Sequence, residues 1–170
     1  AGDEAHRAVG DHLRRGALGE HAAARLAAAA LASPHLESFC GLPIGLLRAG
    51  KLPPVPPLSE RDSRRRPAIA ATEELHLNGH GCGSPGAFAV AALLPNLHRK
   101  TPLSAVVMPF QDLKDEGAVA VAEAAHKACG SKLQFLMLSR NDVGHEATGT
   151  IRKLMPELDD FHLRINNRGG

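Results

Sequence analysis

The chain has 170 residues, a formal net charge of +2 and a hydrophobic content of 44%. This near-neutral balance requires neither a nucleic acid nor an acidic surface as partner. Without Trp or Tyr, and with five Phe, the chain is poorly supplied with the aromatic side chains on which nucleic-acid bases stack. No apolar run is long enough to span a membrane. Three cysteines, whose spacings match no metal site, favour a reducing intracellular compartment.

Two helices are predicted near the N-terminus. Residues 3–15 carry apolar side chains at helical spacing, and Gly16 ends this helix. Residues 18–32 are very rich in Ala, which suits a helix packed closely against its neighbours. No strand pattern separates the two helices, so either one structural unit is degenerate or the pattern is interrupted here.

An irregular segment follows at residues 36–49. Leu36 and Phe39 fall at positions 1 and 4 of the repeated pattern that is clearest at residues 133–154, but Gly41 stands at position 6 and Ile44 at position 9. Pro43 restricts this part of the chain to extended or turn geometry. We therefore predict an irregular coil rather than a regular strand and helix.

Residues 51–71 form the largest break in the pattern. The segment is rich in proline and then in arginine: Pro53, Pro54, Pro56, Pro57, Arg64, Arg65 and Arg66. This composition predicts polyproline II geometry and no helix. Two interpretations are open. The segment is a solvated insertion, or it is a docking arm that contacts a partner by its prolines and arginines.

From residue 72 the chain repeats one pattern. The clearest copy spans residues 133–154 and places Leu at positions 1, 4 and 6, Asn at 9 and Val at 11: Leu133, Leu136, Leu138, Asn141 and Val143. Positions 4 and 6 lie on the same side of a short strand, so both side chains enter one core. The Asn stands at a turn, where its amide can bind backbone groups of the neighbouring unit. One such unit cannot bury its own apolar face, so the pattern must recur.

Three further copies start at Thr72, Leu103 and Leu158, so the four starts are 31, 30 and 25 residues apart. Helices are predicted over residues 85–94, 116–128 and 145–154. Position 19 of the first three copies is Val90, Val121 and Ile151. The fourth copy places Phe161 and Leu163 at positions 4 and 6 and Asn166 at position 9, and it stops at Gly170 before its helix.

This pattern, L-x-x-L-x-L-x-x-N-x-L, resembles the leucine-rich repeat. The helical run KDEGAVAVAEAAHKAC at residues 114–129 is similar to the ribonuclease-inhibitor-like class of that family. The resemblance implies an α/β fold, a curved solenoid with parallel strands on the concave face and helices on the convex face. The alternative is an ordinary α/β domain. We expect irregular, mostly helical repeats over residues 1–50, the Pro/Arg insertion over 51–71, and regular repeats over 72–170, the last truncated.

In such a solenoid the strand face is the usual binding surface. Side chains at positions 3, 5, 7 and 8 point out of it, and they predict this partner-binding set: Glu74, His76, Val107, Phe110, Phe135, Met137, Arg140, Asp160, His162 and Arg164. The four apolar members lie on the two middle strands. We expect them to form an exposed patch with a polar rim, which is typical of an interaction site. The alternative is that Phe110 packs at the end of its strand.

Ten histidines raise the question of metal binding. His76 and His162 share a column of the sheet, but two strands separate them, which leaves them ~14 Å apart at ~4.8 Å per strand. That distance is too long for one zinc ion, and no phosphate loop or hydrolase motif is present. We therefore expect no catalytic residues, no metal and no cofactor.

The expected function is a non-catalytic protein–protein interaction scaffold or a structural subunit of a larger complex, with other protein subunits as partners and no nucleic acid. The alternative is a regulatory leucine-rich-repeat module, either a small-GTPase regulator or the sensing domain of a longer protein. The chain begins at Ala1 and stops within a repeat. We expect it to be a piece of a longer array whose ends are capped by more repeats or by a neighbouring subunit.

Overall fold

The computed structural model describes residues 20–78 and 81–165. Within these ranges the helices are α1 (Glu20–Ala32), α2 (Ile44–Arg48), α3 (Glu60–Ser63), α4 (Gly83–Lys100), α5 (Lys114–Cys129) and α6 (His145–Leu154). The strands are β1 (Glu74–His76), β2 (Ala105–Val107), β3 (Phe135–Met137) and β4 (Leu163–Arg164). Short 3₁₀ turns lie at Ala71–Glu73 and Gly130–Lys132. The predicted helix at residues 3–15 and the predicted role of Asn166 lie outside the described residues.

The four strands form one parallel sheet in chain order. Each connection between neighbouring strands carries one helix, as parallel pairing requires. Leu75, Val106 and Leu136 are paired partners across β1, β2 and β3, which is the alignment that the repeat numbering predicts for position 4. The predicted α/β class with parallel strands is therefore confirmed.

One hydrophobic core lies between the strands and helices α4, α5 and α6. Its members occupy the predicted positions 4, 6, 11 and 19 of the first three repeats: Leu75, Leu77, Cys82, Val90, Val106, Met108, Leu113, Val121, Leu136, Leu138, Val143 and Ile151. All are buried. Because side chains alternate along a strand, positions 4 and 6 face this core while positions 3 and 5 face the opposite side.

Helix α6 has the predicted bounds, but α4 is longer than predicted. The helix predicted over residues 85–94 stops before Pro95, and a proline inside a helix costs about 3 kcal/mol. The helix instead continues to Lys100 with Pro95 inside it. Leu97, beyond the proline, is buried in the core. Burial of this last turn therefore outweighs the lost backbone hydrogen bond.

The predicted alignment of the fourth repeat is wrong by two residues. Leu163 pairs with Leu136, so it occupies position 4 rather than position 6. The strand begins late because Asp159 forms a turn: its carbonyl oxygen accepts hydrogen bonds from the backbone N–H groups of His162 and Leu163. Phe161, which was expected in the core, is 40% exposed. Because the shift is an even number of residues, Leu163 still faces the core and Arg164 still faces outward.

Residues 20–50 cover the core beside α4. Leu42, Ile44 and Leu47 are fully buried and belong to the same core as the repeat leucines. The repeat-like start at Leu36 and Phe39 produces no regular strand. Phe39 forms only an isolated antiparallel bridge with Leu42.

The prediction that the insertion forms no helix is wrong, because it contains one short helical turn. Ser59 caps the short helix α3 by accepting a hydrogen bond from the backbone N–H of Asp62, 3.1 Å away. The prolines of residues 53–57 precede this cap, so they do not interrupt the turn. The beginning of the insertion is held by Thr101, whose hydroxyl donates to the carbonyl oxygen of Gly50 over 2.6 Å.

Candidate partner-binding site

The outward face of the sheet carries the side chains at positions 3 and 5. Glu74, Ala105 and Phe135 lie side by side at position 3, as the strand register shows. His76, Val107, Met137 and Arg164 form the row at position 5. The sequence predicts these residues to be exposed. Instead, the predicted rim residues Glu74 and His76 are buried, Phe135 and Val107 are buried as well, and Met137 is partly buried.

The insertion buries this face. Arg66 donates two hydrogen bonds to the carboxylate of Glu74, and both side chains are almost fully buried. The Arg66 guanidinium also lies 5.1 Å from the centre of the Phe135 ring, a cation–π distance. Ile69 packs on the small apolar cluster of Ala105, Val107 and Phe135. The apolar patch that the sequence predicts is therefore not open at its centre, because Arg66 and Ile69 of the insertion cover Phe135.

Glu74 is the polar centre of this cover. Nδ1 of His76 donates to its carboxylate over 2.8 Å, since an ionised carboxylate can only accept. Burial raises the pKa of Glu74, but the hydrogen bonds from His76 and Arg66, together with the charges of both, lower it by more. The net pKa lies below the ordinary value of 4.5. Glu74 is therefore held as a carboxylate between two donors.

A groove remains open between the insertion and the strand face, and we call it the strand-face groove. Its volume is about 300 Å³. The insertion supplies one wall: Pro56, Pro57, Leu58, Asp62 and Arg66. The sheet and its following turns supply the floor and the other wall: His76, Asn78, Val107, Pro109, Phe110, Phe135, Met137 and Arg164. The size lies at the lower end of the range for ligand pockets.

The groove continues beyond β4. A second cavity of about 550 Å³ shares Met137 and Arg164 with it and reaches Arg152, Asp160 and Phe161. A third, of about 300 Å³, lies on the other side and is lined by Pro43, Pro53, Pro54, Pro56, His76, Leu77 and Asn78. The prolines of the insertion and the outward strand residues therefore belong to one connected surface.

Two large apolar side chains at the groove are exposed to solvent. Phe110 is 57% exposed and Leu58 is 39% exposed. The φ of Phe110 is 57°, a left-handed conformation that is costly for a bulky residue. Arg140, at the same position of the next repeat, has a φ of 62°, and its guanidinium lies 5.9 Å from the centre of the Phe110 ring. The predicted alternative, in which Phe110 packs at the end of its strand, is wrong.

An amide ladder fixes the turns that present Phe110 and Arg140. The side chain of Asn141 donates to the carbonyl oxygen of Met108 over 2.7 Å and accepts from the backbone N–H of Gln111 over 2.7 Å. Gln111 in turn donates to the carbonyl oxygen of Leu77 over 2.7 Å. These bonds join neighbouring repeats, as predicted for Asn at position 9. The first repeat has His80 there, which lies outside the described residues.

Arg164 is held by two aromatic rings. Its guanidinium lies 5.9 Å from the centre of Phe135 and 5.5 Å from the centre of Phe161. Its Nε donates to the carbonyl oxygen of Phe161. Within the described parts of the chain, neither Arg164 nor Arg140 forms an ion pair, whereas Arg66 is paired with Glu74 and Arg152 with Asp160.

The predicted rim residues Asp160 and His162 do not join the strand-face groove. Asp160 is paired with Arg152 and lines the second cavity. His162 lies in the turn before β4, where Asp159 accepts its ring N–H over 2.7 Å. The two-residue shift of the fourth repeat accounts for both positions.

The arginines of the insertion have separate environments. Arg66 enters the buried network, Arg64 forms an exposed ion pair with Glu60, and Arg65 is exposed. The sequence interpretation missed Leu58 and Ile69. Both are bulky apolar residues in a segment rich in proline and arginine, and that contrast is the signal that could have identified them.

Among residues 20–78 and 81–165, no group of three or more His, Cys, Asp or Glu side chains is arranged to hold a metal ion. The helices within the same ranges include none that is long and apolar enough to cross a membrane. Comparison with models of protein families, with curated proteins and with solved structures found no match to this chain.

Proposed function

We propose that the chain is a leucine-rich-repeat solenoid that acts as a non-catalytic scaffold or structural subunit and binds another protein at its strand face. The solenoid part of this proposal is supported by strands that pair in chain order and by buried residues at matching positions of three repeats. The amide ladder, which links each turn to the next, also supports the solenoid part of the proposal.

The exposure of Phe110 is the observation that carries the functional proposal. A phenylalanine that is more than half exposed, in a strained left-handed conformation, costs stability and contributes little to the core. Leu58 on the facing wall is exposed as well. Large apolar side chains that flank a groove are typical of interaction sites, where a partner removes them from water.

Compared with the sequence interpretation, the proposed surface is smaller. Phe135 and Val107 form the covered floor, and the accessible contacts are Leu58, Phe110 and Met137 with two arginines at the edge. The insertion is then one wall of the site. This combines the two interpretations of residues 51–71, because the segment is anchored at Arg66 and exposed over residues 56–65.

Site-specific photocrosslinking tests the proposal. We expect p-benzoylphenylalanine placed at position 110 or 58 to give the same covalent adduct in cells that make the protein, because both side chains border one groove. The matched control is position 123, on the exposed side of α5. Adducts that form equally well from position 123, or that are absent from both groove positions, would contradict a partner at the strand face.

A further inference from the structure

The strand-face groove has an apolar part and a cationic part. Its apolar part is formed by Leu58, Phe110 and Met137, all of them at least partly accessible. A cavity of about 300 Å³ is small, so it accommodates the side chains of an extended segment rather than the broad face of a helix. The shape therefore favours one inserted apolar side chain.

The cationic part lies on the β4 side. Arg164 lines the groove, and Arg140 stacks on Phe110 at its edge. Neither guanidinium has a carboxylate partner among the described residues. Arg164 is also oriented, because it lies between the rings of Phe135 and Phe161. An arginine held in place in this way loses less side-chain entropy when it binds a carboxylate.

The other charged side chains at the groove, Arg66 and Asp62, do not offer a free positive charge. The charge of Arg66 is offset by Glu74 inside the cover. Asp62 lies on the opposite wall, in the insertion, where it accepts a hydrogen bond from Ser59. Of the charged side chains that line the groove, Asp62 therefore repels a bound anionic group and Arg164 attracts it.

The strand register sets the spacing between the two parts. Met137 and Arg164 are paired partners on neighbouring strands. Neighbouring strands lie ~4.8 Å apart, and an extended chain advances ~3.3 Å per residue. A ligand that reaches both side chains therefore needs its carboxylate within about two residues of its apolar side chain.

We propose that the strand-face groove binds an extended segment of a partner protein in which an apolar or aromatic side chain is followed within two residues by Asp or Glu. The apolar side chain contacts Leu58, Phe110 and Met137, and the carboxylate pairs with Arg164 and Arg140. This assignment rests on the proposed function, since it specifies the partner for the same surface.

Selection from a phage-displayed library of random 12-residue peptides tests the assignment. We expect peptides selected on the wild-type protein to be enriched in an apolar residue followed within two positions by Asp or Glu. Arg164→Gln should weaken their binding at least tenfold, and Arg164→Lys should restore part of it. Arg140→Gln gives an independent reading at an exposed site. Lys127→Gln, on the exposed side of α5, removes one positive charge away from the groove and should leave binding unchanged.

Three outcomes would overturn the proposal. Peptides without acidic enrichment whose binding is nevertheless lost in Phe110→Ser would place a partner in the groove with different chemistry, so the proposed function would stand. A failure to select any peptide would exclude an extended segment as the occupant and leave the photocrosslinking test to decide the function. Acidic peptides that bind Phe110→Ser and wild type equally would contradict both proposals. Urea unfolding of each variant shows that lost binding does not reflect lost folding.

Discussion

Asn141 shows how one side chain can hold two neighbouring turns together. It donates to the carbonyl oxygens of Met108 and Leu138 and accepts from the backbone N–H of Gln111. These backbone groups are buried in turns, so no regular strand or helix satisfies them. The role of Asn at this position was predictable from the sequence. The matching role of Gln111, which donates to the carbonyl oxygen of Leu77, was not predictable. Glutamine is longer than asparagine, so it reaches the equivalent carbonyl oxygen only if the turn has the right geometry.

We expect Asn141→Ala to lower the free energy of unfolding by roughly 2–4 kcal/mol, because it leaves at least two buried backbone groups without partners. Urea denaturation at neutral pH measures this loss. Asn96→Ala is the control. Asn96 forms one exposed hydrogen bond with Arg99, and its replacement should change stability by less than about 0.5 kcal/mol. Equal effects of the two substitutions would show that the ladder does not stabilise the fold.

The lowered pKa of Glu74 predicts that the protein loses stability at acidic pH. Its pKa is lower in the folded chain than the ordinary value of 4.5, so the folded state favours the carboxylate. The resulting stabilisation is complete above pH 4.5 and is lost as the pH falls through the lowered pKa. We expect the stability advantage of wild type over Glu74→Gln to shrink between pH 6 and pH 3, measured by urea unfolding at each pH. An advantage that stays constant over this range would contradict the assigned network.

Among the elements, the insertion departs most from what its sequence suggests. Proline and arginine content predicts a polar, extended segment, and residues 56–65 are indeed exposed. The location of the segment could not be predicted, because it depends on side chains far along the chain. Arg66 contacts the ring of Phe135, more than two repeats later, and Ile69 packs on the same cluster. Contacts between residues so far apart in the chain leave no pattern in the local sequence.

We expect Arg66→Ala to destabilise the protein by about 3 kcal/mol, because it leaves the Glu74 carboxylate buried with only His76 as its partner. The variant should also be cut faster by trypsin at Arg61, Arg64 and Arg65, since the insertion loses its anchor. Arg65→Ala is the matched control in the same segment, and its own cleavage site is absent. If Arg66→Ala and the control unfold at the same urea concentration, the buried pair does not anchor the insertion.

For the whole molecule, the sequence predicted the α/β class, the parallel sheet and the buried residues of its first three strand–helix units, because each of these depends on short-range spacing. It failed at Leu163, where a turn at Asp159 delays the strand by two residues. It also failed on the exposure of Phe135, which a distant segment covers. Spacing predicts which side of a strand a residue occupies, but not what lies against that side.

Duplication of one repeat tests the proposed solenoid. A chain in which residues 103–132 occur twice in succession should fold, because each unit contacts mainly its neighbours and the amide ladder can continue. We expect a larger helical circular-dichroism signal and a urea m value that rises with the added buried surface. A lengthened chain that does not fold, or whose m value is unchanged, would favour a closed α/β domain that cannot accept another unit.

The anchoring of Arg66 has a consequence for the order of assembly. During synthesis the insertion leaves the ribosome before β3, so Arg66 and Ile69 must wait for Phe135 before their contacts can form. Contacts between distant parts of a chain close slowly, because the loop entropy is lost before the contact is gained. Neighbouring strand–helix units can pack as they emerge, whereas the strand-face groove takes shape only when the third strand arrives. A nascent chain therefore forms its hydrophobic core first and the strand-face groove later.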